Sequence, residues 1–296
     1  MEYIQFFLNF RCNQVCNFCF NSKIEDRPEI TLYDFQHIAS ILKSQGINEI
    51  DILGGEPFLH KDILQILEIA TKSFDSIYIS TNGTLIDILK DVERLFPKVK
   101  IGISLNSKPG KGLREYIVQH RPVLKSIVDR RNFVPMWALE FIKSGIIYYL
   151  IFRDALSEDE LKEVIPFYEF IKEVEIINSI YSNIKPVYCS GFVPENGSEW
   201  RCPAGSTKLS IMPDGSVFPC YLFFGYSEFR LGNVLHNEFK EIIRNPILDF
   251  FKKTFDNQCE VNNCHIRSEC HGGCPAVSWA IYRDLNMPDP RCNAIR

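Results

Sequence analysis

The sequence predicts a parallel α/β fold that gives way to a small cysteine-rich region. Three observations predict it. Apolar patterns alternate between strand and helix periods six times in roughly the first 180 residues. The residues with the most chemical character follow strands. Of the 11 cysteines, three lie before residue 20 and eight from Cys189 onward, with none between.

Residues 3–10 read as the first strand. Thr31 and Asp34 form a capping-box-like start for a helix carrying Phe35, Ile38, Ala39 and Leu42 at helical spacing. Residues 50–53 read as a strand, 61–74 as a helix and 77–80 as a strand. Leu85, Ile88, Leu89, Val92 and Leu95 mark one face of the next helix, and 99–105 alternate as a strand. A less regular stretch ends in a helix near 137–143. Residues 146–152 form a β-branched and aromatic fifth strand. Ser157 and Glu160 cap a helix with Leu161, Val164, Ile165, Tyr168 and Ile171 on its inner face, and 174–177 read as a sixth strand. Eight such repeats would close a barrel; six leave either an open barrel or a doubly wound sheet. Both place their sites at the carboxyl ends of strands, where residues 12–19, 54–57, 81–83, Ser104, Asn106 and Arg153 all fall. Beyond residues 180–188 Gly, Pro and Cys rise, and Pro213-Asp214-Gly215 signals a hairpin turn. The expected division is therefore 1–183 and 184–296.

The chain has 296 residues, is 46% hydrophobic and carries a formal net charge of -4. That supports a large core and argues against nucleic-acid binding, which calls for a basic face. The N-terminus lacks the basic flank of a signal peptide, and the longest apolar run, 146–152, is far too short to span a membrane. A cytoplasmic protein is expected, with no membrane partner. An odd cysteine count in a reducing compartment points to metal rather than disulfides.

Cys12, Cys16 and Cys19 are spaced Cys-x3-Cys-x2-Cys, with Phe18 before the last. Three thiolates on one loop can hold an iron–sulfur cluster and leave one iron open. After the second strand comes Gly54-Gly55-Glu56-Pro57. This pair of motifs resembles the radical S-adenosylmethionine (radical SAM) enzymes. The resemblance implies the open six-stranded (β/α)6 partial TIM barrel. It implies that Cys12, Cys16 and Cys19 bind a [4Fe–4S] cluster whose fourth iron takes the amino and carboxylate groups of S-adenosylmethionine (SAM), and that reductive cleavage yields a 5′-deoxyadenosyl radical that abstracts a substrate hydrogen. Gly54 and Gly55 would approach the SAM ammonium, with Glu56 supporting that loop or adding a contact. Ser104 and Asn106 would bond the ribose, and Arg153 would pair with the SAM carboxylate. His60 reads as a surface residue, and Thr81-Asn82-Gly83 as turn chemistry.

The later cysteines carry a second resemblance. Cys202-x12-Gly215-x4-Cys220, then Cys264-x5-Cys270-x3-Cys274, then Cys292, is similar to the SPASM extension of radical SAM enzymes. Cys259 departs from the pattern, separated from Cys264 by four residues rather than two. By that resemblance one auxiliary [4Fe–4S] cluster uses Cys189, Cys202, Cys220 and Cys274, and a second uses Cys259, Cys264, Cys270 and Cys292. Enzymes of this build mostly modify peptides or proteins, with electrons from a donor such as ferredoxin or flavodoxin. Tyr221, where sulfatase-maturing members carry Asp, argues against formylglycine formation. The chain begins at its first predicted strand, so leader recognition is expected from another protein or from the barrel mouth. The leading expectation is a peptide maturase. The alternatives are an enzyme acting on a small molecule such as a haem or other cofactor precursor, and a non-catalytic zinc-binding scaffold.

Overall fold

A computed structural model describes residues 1–24, 28–130, 133–193, 200–252, 259, 264, 266 and 268–292. The described strands are β1 (Tyr3–Phe7), β2 (Glu49–Leu53), β3 (Ser76–Thr81), β4 (Val99–Ser104), β5 (Val123–Val128), β6 (Tyr148–Phe152), β7 (Ile184–Val187), β8 (Lys208–Ile211), β9 (Ser216–Phe218) and β10 (Gly232–Asn233). The described helices are α1 (Leu32–Ser44), α2 (Ile63–Ser73), α3 (Ile86–Leu95), α4 (Lys111–His120), α5 (Leu139–Lys143), α6 (Glu158–Leu161), α7 (Phe167–Ile180), α8 (Phe239–Ile242), α9 (Leu248–Lys252) and α10 (Pro275–Tyr282). They form two compact units, Met1–Ser104 with Ala204–Lys252 and Leu105–Pro203 with Lys253–Arg296.

The first unit is built on β10-β9-β8-β1-β2-β3-β4. Strands β8, β1, β2, β3 and β4 run parallel, and the β8–β9 and β9–β10 pairs are antiparallel. Ile4 registers with Ile50 and Leu209, and Phe6 with Ile52 and Ile211. All of these side chains are buried, so one slip of register would expose a whole face. Phe6 meets Phe35 of α1 edge-on at 5.2 Å. Thr31 caps α1 by accepting from the Asp34 N–H, as its spacing predicts. The β8–β9 turn closes through Met212 N–H to Ser216 O at 2.9 Å. Gly215 supplies the positive φ of +80° there, where a Cβ would strike Asn233 and Leu235.

The second unit has the parallel order β5-β6-β7. Its core includes Tyr148, Leu150, Phe152, Phe167, Phe170 and Phe192, with Phe167 stacked on Phe192 at 3.9 Å.

Four expectations fail here. The irregular stretch after residue 105 contains α4 and β5. β5 escapes a pattern search because Ser126 stands at the centre of its buried face, flanked by Leu124 and Val128. The Ser126 hydroxyl lies within bonding range of Leu105 O, at 2.6 Å, and of the Tyr148 hydroxyl. Residues 174–177 are not a strand. They belong to α7, where Phe167, Phe170 and Val174 recur at helical spacing. The helix expected from Ser157 is also two helices, because Pro166 cannot continue one and instead stands before α7. Arg153 thus follows the sixth strand, not the fifth.

Candidate iron–sulfur and SAM site

In the first unit the cysteine loop is stitched to the glycine loop by its own backbone. Leu8 N–H donates to Leu53 O at 2.9 Å, Gly55 N–H to Asn9 O at 2.9 Å and Glu56 N–H to Arg11 O at 2.8 Å. The ladder of β1 and β2 therefore continues past both strands. This explains the glycines differently from the sequence. A Cβ on Gly54 would sit 2.9 Å from Asn9 O, and one on Gly55 would sit 2.4 Å from Arg11 O. Close approach of two main chains excludes any side chain there.

Glu56 is buried and holds three elements together. Its carboxylate accepts from Phe58 N–H at 3.1 Å, Thr81 Oγ1 at 2.8 Å and Asn82 N–H at 2.7 Å. Burial pushes its pKa up, while these three donors pull it back. Asn82 then reaches the cysteine loop, donating through Nδ2 to Asn13 Oδ1 at 2.8 Å and lying 3.9 Å from Cys12 Sγ. Asn13 returns a bond to Thr84 Oγ1 at 2.8 Å. Asn82 is thus more than turn chemistry, and the sequence singled out neither Asn13 nor its link to Thr84. His60 is also corrected. It is buried, its Nδ1 accepts from Asp62 N–H at 3.1 Å, and its Nε2 therefore donates to Ile30 O at 2.8 Å.

The three thiols lie together. Cys19 N–H donates to Cys16 O at 3.2 Å, closing a turn over the half-buried Phe18. Gln14 N–H points at Cys12 Sγ at 3.4 Å. Burial and the nearby Cys19 and Cys12 raise the Cys16 pKa. Clustered thiols that repel as anions, with N–H donors on sulfur, fit thiolate ligation of a cationic centre. Ser104 is half-buried at the end of β4. Elsewhere in this unit Cys220 is buried, and the Tyr221 ring packs on Phe7 at 5.8 Å and Phe20 at 5.1 Å.

The second unit holds the remaining candidates. Arg153 is 2% exposed, and its Nη1 lies 3.7 Å from Asp129. Its Nε and Nη1 make no hydrogen bond, so the buried guanidinium keeps donor capacity that fits an incoming anionic group. Asn106 is exposed and accepts from Ile127 N–H at 3.0 Å, tying it to β5. Cys189 Sγ lies 4.0 Å from Cys202 Sγ and beside Cys274. The Cys202 contact and burial raise the Cys189 pKa well above its ordinary value, against a lowering contact from Cys274, and the Cys189 contact and burial raise that of Cys274. Burial and the nearby Cys264 and Cys259 raise the Cys270 pKa, while Gly272 N–H donates to its sulfur at 3.3 Å. Cys292 follows the buried Arg291 and donates its N–H to Asp289 O at 3.1 Å. Arg201, also missed by the sequence, is buried and bonds Gly273 O, Gly272 O, Met287 O, Leu285 O and Ser278 Oγ, fixing the loop before Cys274. Among the described residues, no two cysteines form a disulfide. Among the described residues, no three His, Cys, Asp or Glu side chains converge tightly enough for a single metal ion.

Residues 8–122 match the radical SAM superfamily, and residues 202–271 match the SPASM iron–sulfur cluster-binding domain. The chain belongs to the radical SAM superfamily of enzymes. SAM and [4Fe–4S] clusters are the cofactors of this radical SAM/SPASM build. Among its relatives is the antilisterial bacteriocin subtilosin biosynthesis protein AlbA of Bacillus subtilis, 25% identical over 91% of this chain and 66% of that protein. A probable GTP 3′,8-cyclase of Saccharolobus solfataricus is 24% identical over 84% of this chain and 91% of its own. Streptococcus suis SuiB bound to SAM has the same fold, with a TM-score of 0.78 and 19% identity over 98% of this chain and 76% of its own. That fold is the partial barrel with an auxiliary-cluster extension. Among the described residues, no helix of this radical SAM protein is long and apolar enough to cross a membrane.

Proposed function

We propose that this chain is a cytoplasmic radical SAM/SPASM maturase that abstracts a hydrogen atom from a peptide or protein substrate. Residues 1–183 serve as the core and 184–296 as the auxiliary domain. Cys12, Cys16 and Cys19 hold the first cluster. The bound cluster and SAM supply a 5′-deoxyadenosyl radical by one-electron reduction of the sulfonium. Everything else is the work of the chain. Glu56 and Asn82 fix the loop that carries Cys12. Gly54 and Gly55 let two main chains meet without a side chain between them. Arg153 offers two buried donors to a carboxylate, with Ser104 and Asn106 as hydroxyl and amide contacts for the ribose. Cys189, Cys202, Cys220 and Cys274 hold one auxiliary cluster, and Cys259, Cys264, Cys270 and Cys292 the other.

One observation carries the peptide reading: the match to AlbA, a bacteriocin biosynthesis protein, extends over 91% of this chain. SuiB, which shares the fold at a TM-score of 0.77, has been seen bound to its precursor peptide SuiA. The cyclase relatives favour a second reading, a small-molecule substrate. The test is anaerobic incubation of the reconstituted protein with SAM, a low-potential reductant and synthetic precursor peptides, read by mass spectrometry. A peptide mass loss of about two hydrogens, or a deuterium-labelled 5′-deoxyadenosine from a deuterated peptide, is the expected result. Deoxyadenosine formation that no peptide alters but a nucleotide does would turn the reading to the small molecule.

A further inference from the structure

One buried guanidinium in the second unit touches the surroundings of three cysteines and the end of β6. Arg291 Nη1 donates to Arg153 O at 2.9 Å and to Asp154 Oδ1 at 3.0 Å. Its Nε donates to Asp289 Oδ1 at 3.0 Å and its Nη2 to Asp289 Oδ2 at 2.7 Å. Asp289 Oδ2 also accepts from Cys274 N–H at 2.9 Å, and Asp289 N–H donates to Gly272 O at 2.8 Å. The guanidinium lies over the rings of Phe152 at 4.8 Å and Phe192 at 5.7 Å, and Phe192 N–H bonds Cys189 O at 3.0 Å. Cys292 is the next residue in the chain.

A surface arginine has no need of this arrangement. Four hydrogen bonds and two rings give the group one geometry, set largely by the segment that carries Cys274 and Cys292. Its far end grips the main chain of Arg153, whose own Nε and Nη1 are the unfilled donors. Any movement of residues 272–274 or 289–292 therefore moves the backbone from which that guanidinium projects.

We propose that Arg291 is a positioning residue that couples loading of the auxiliary clusters to the placement of Arg153, and through it to the affinity for the carboxylate of SAM. Without those clusters the residues around Cys274 and Cys292 lose their anchor, Asp289 and Arg291 follow, and Arg153 is released. The proposal rests on the functional reading given above for its ligand but not for its structural half.

The experiment compares anaerobically reconstituted wild-type protein, Arg291→Lys and Asp154→Asn. It measures iron per chain, the auxiliary-cluster electron paramagnetic resonance signals, amide hydrogen exchange at Arg153, Asp154 and Ala155, and SAM affinity by equilibrium dialysis. Arg291→Lys keeps the charge but not the fork. It is expected to retain its iron and auxiliary signals, lose exchange protection at these three amides, and bind SAM about tenfold more weakly, as disturbed supporting contacts do. Asp154→Asn, which leaves the Asp289 pair intact, is expected to fall between. Wild-type protection and affinity in both variants would overturn the proposal, as would a fall in affinity that only tracks lost iron. Wild-type protein that carries its clusters yet binds no SAM would defeat the functional reading. The exchange comparison of cluster-free and loaded wild type then still decides the coupling, which requires protection at residues 153–155 to rise on loading.

Discussion

The two cysteine regions are held in opposite ways. The loop of residues 12–19 hangs from the ends of a sheet. Its thiols are half-buried, its tip residue Val15 is 97% exposed, and its support comes from neutral amides and one carboxylate, Glu56. The group of Cys189, Cys202 and Cys274 is built into an interior where Cys202 and Cys274 are buried and the neighbours are two buried guanidiniums, Arg201 and Arg291. The difference matches the two jobs proposed for them. A ligand set that must admit an exchangeable cofactor needs an accessible face, whereas a cluster that stays in place gains from burial and fixed charge. The first region is a ladder extended past its strands, and the second is a polar network in which each member leans on another.

Breaking each region should therefore fail differently. The largest expected effect is on activity. Cys16→Ala should abolish deoxyadenosine formation, because it strips a ligand from the exposed loop, while the auxiliary cysteines keep their iron. Next comes Asp289→Asn, which removes the buried bidentate carboxylate of Arg291 and leaves that cation only the partly exposed Asp154. A loss of about 3–5 kcal/mol is expected, read as a lower denaturant midpoint. Gly55→Ala sets a Cβ against Arg11 O and should cost about 1–3 kcal/mol of stability, with weaker SAM binding as the sharper sign. The smallest effect is that of Glu56 on the pH profile. Burial lifts its pKa above the ordinary 4.5, so the folded protein holds this proton more tightly than the unfolded chain. Stability should fall as pH rises from 4.5 to the raised value and level off beyond it. The difference between wild type and Glu56→Gln across pH 4–8, followed by urea unfolding, checks it. A difference independent of pH would contradict the burial argument.

What the sequence made legible was local. The capping pair Thr31 and Asp34, the turn at Gly215, the cysteine spacings and the glycine loop each act over a few residues, and each is where its spacing places it. Strand β5 was hidden by a buried serine whose partners lie at Leu105 and Tyr148. The sixth-strand assignment failed because a short apolar run reads equally as strand or helix, and only packing of Phe167, Phe170 and Val174 decides it. Within the site, His60, Asn82, Arg201 and Arg291 look like ordinary surface residues in a linear text. Their partners are 30, 69, 72 and 138 positions away, at Ile30, Asn13, Gly273 and Arg153. Periodicity carries no information about contacts at that range.

The central claim is that three half-buried thiolates near the amino end hold a cluster that SAM completes. The most direct measurement is iron content and 5′-deoxyadenosine yield of anaerobically reconstituted wild type and Cys16→Ala, under a low-potential reductant. The account requires about twelve irons and deoxyadenosine from wild type, and about eight irons with none from the variant. Equal yields from the two proteins, or a wild type that binds zinc and leaves SAM intact, would contradict it.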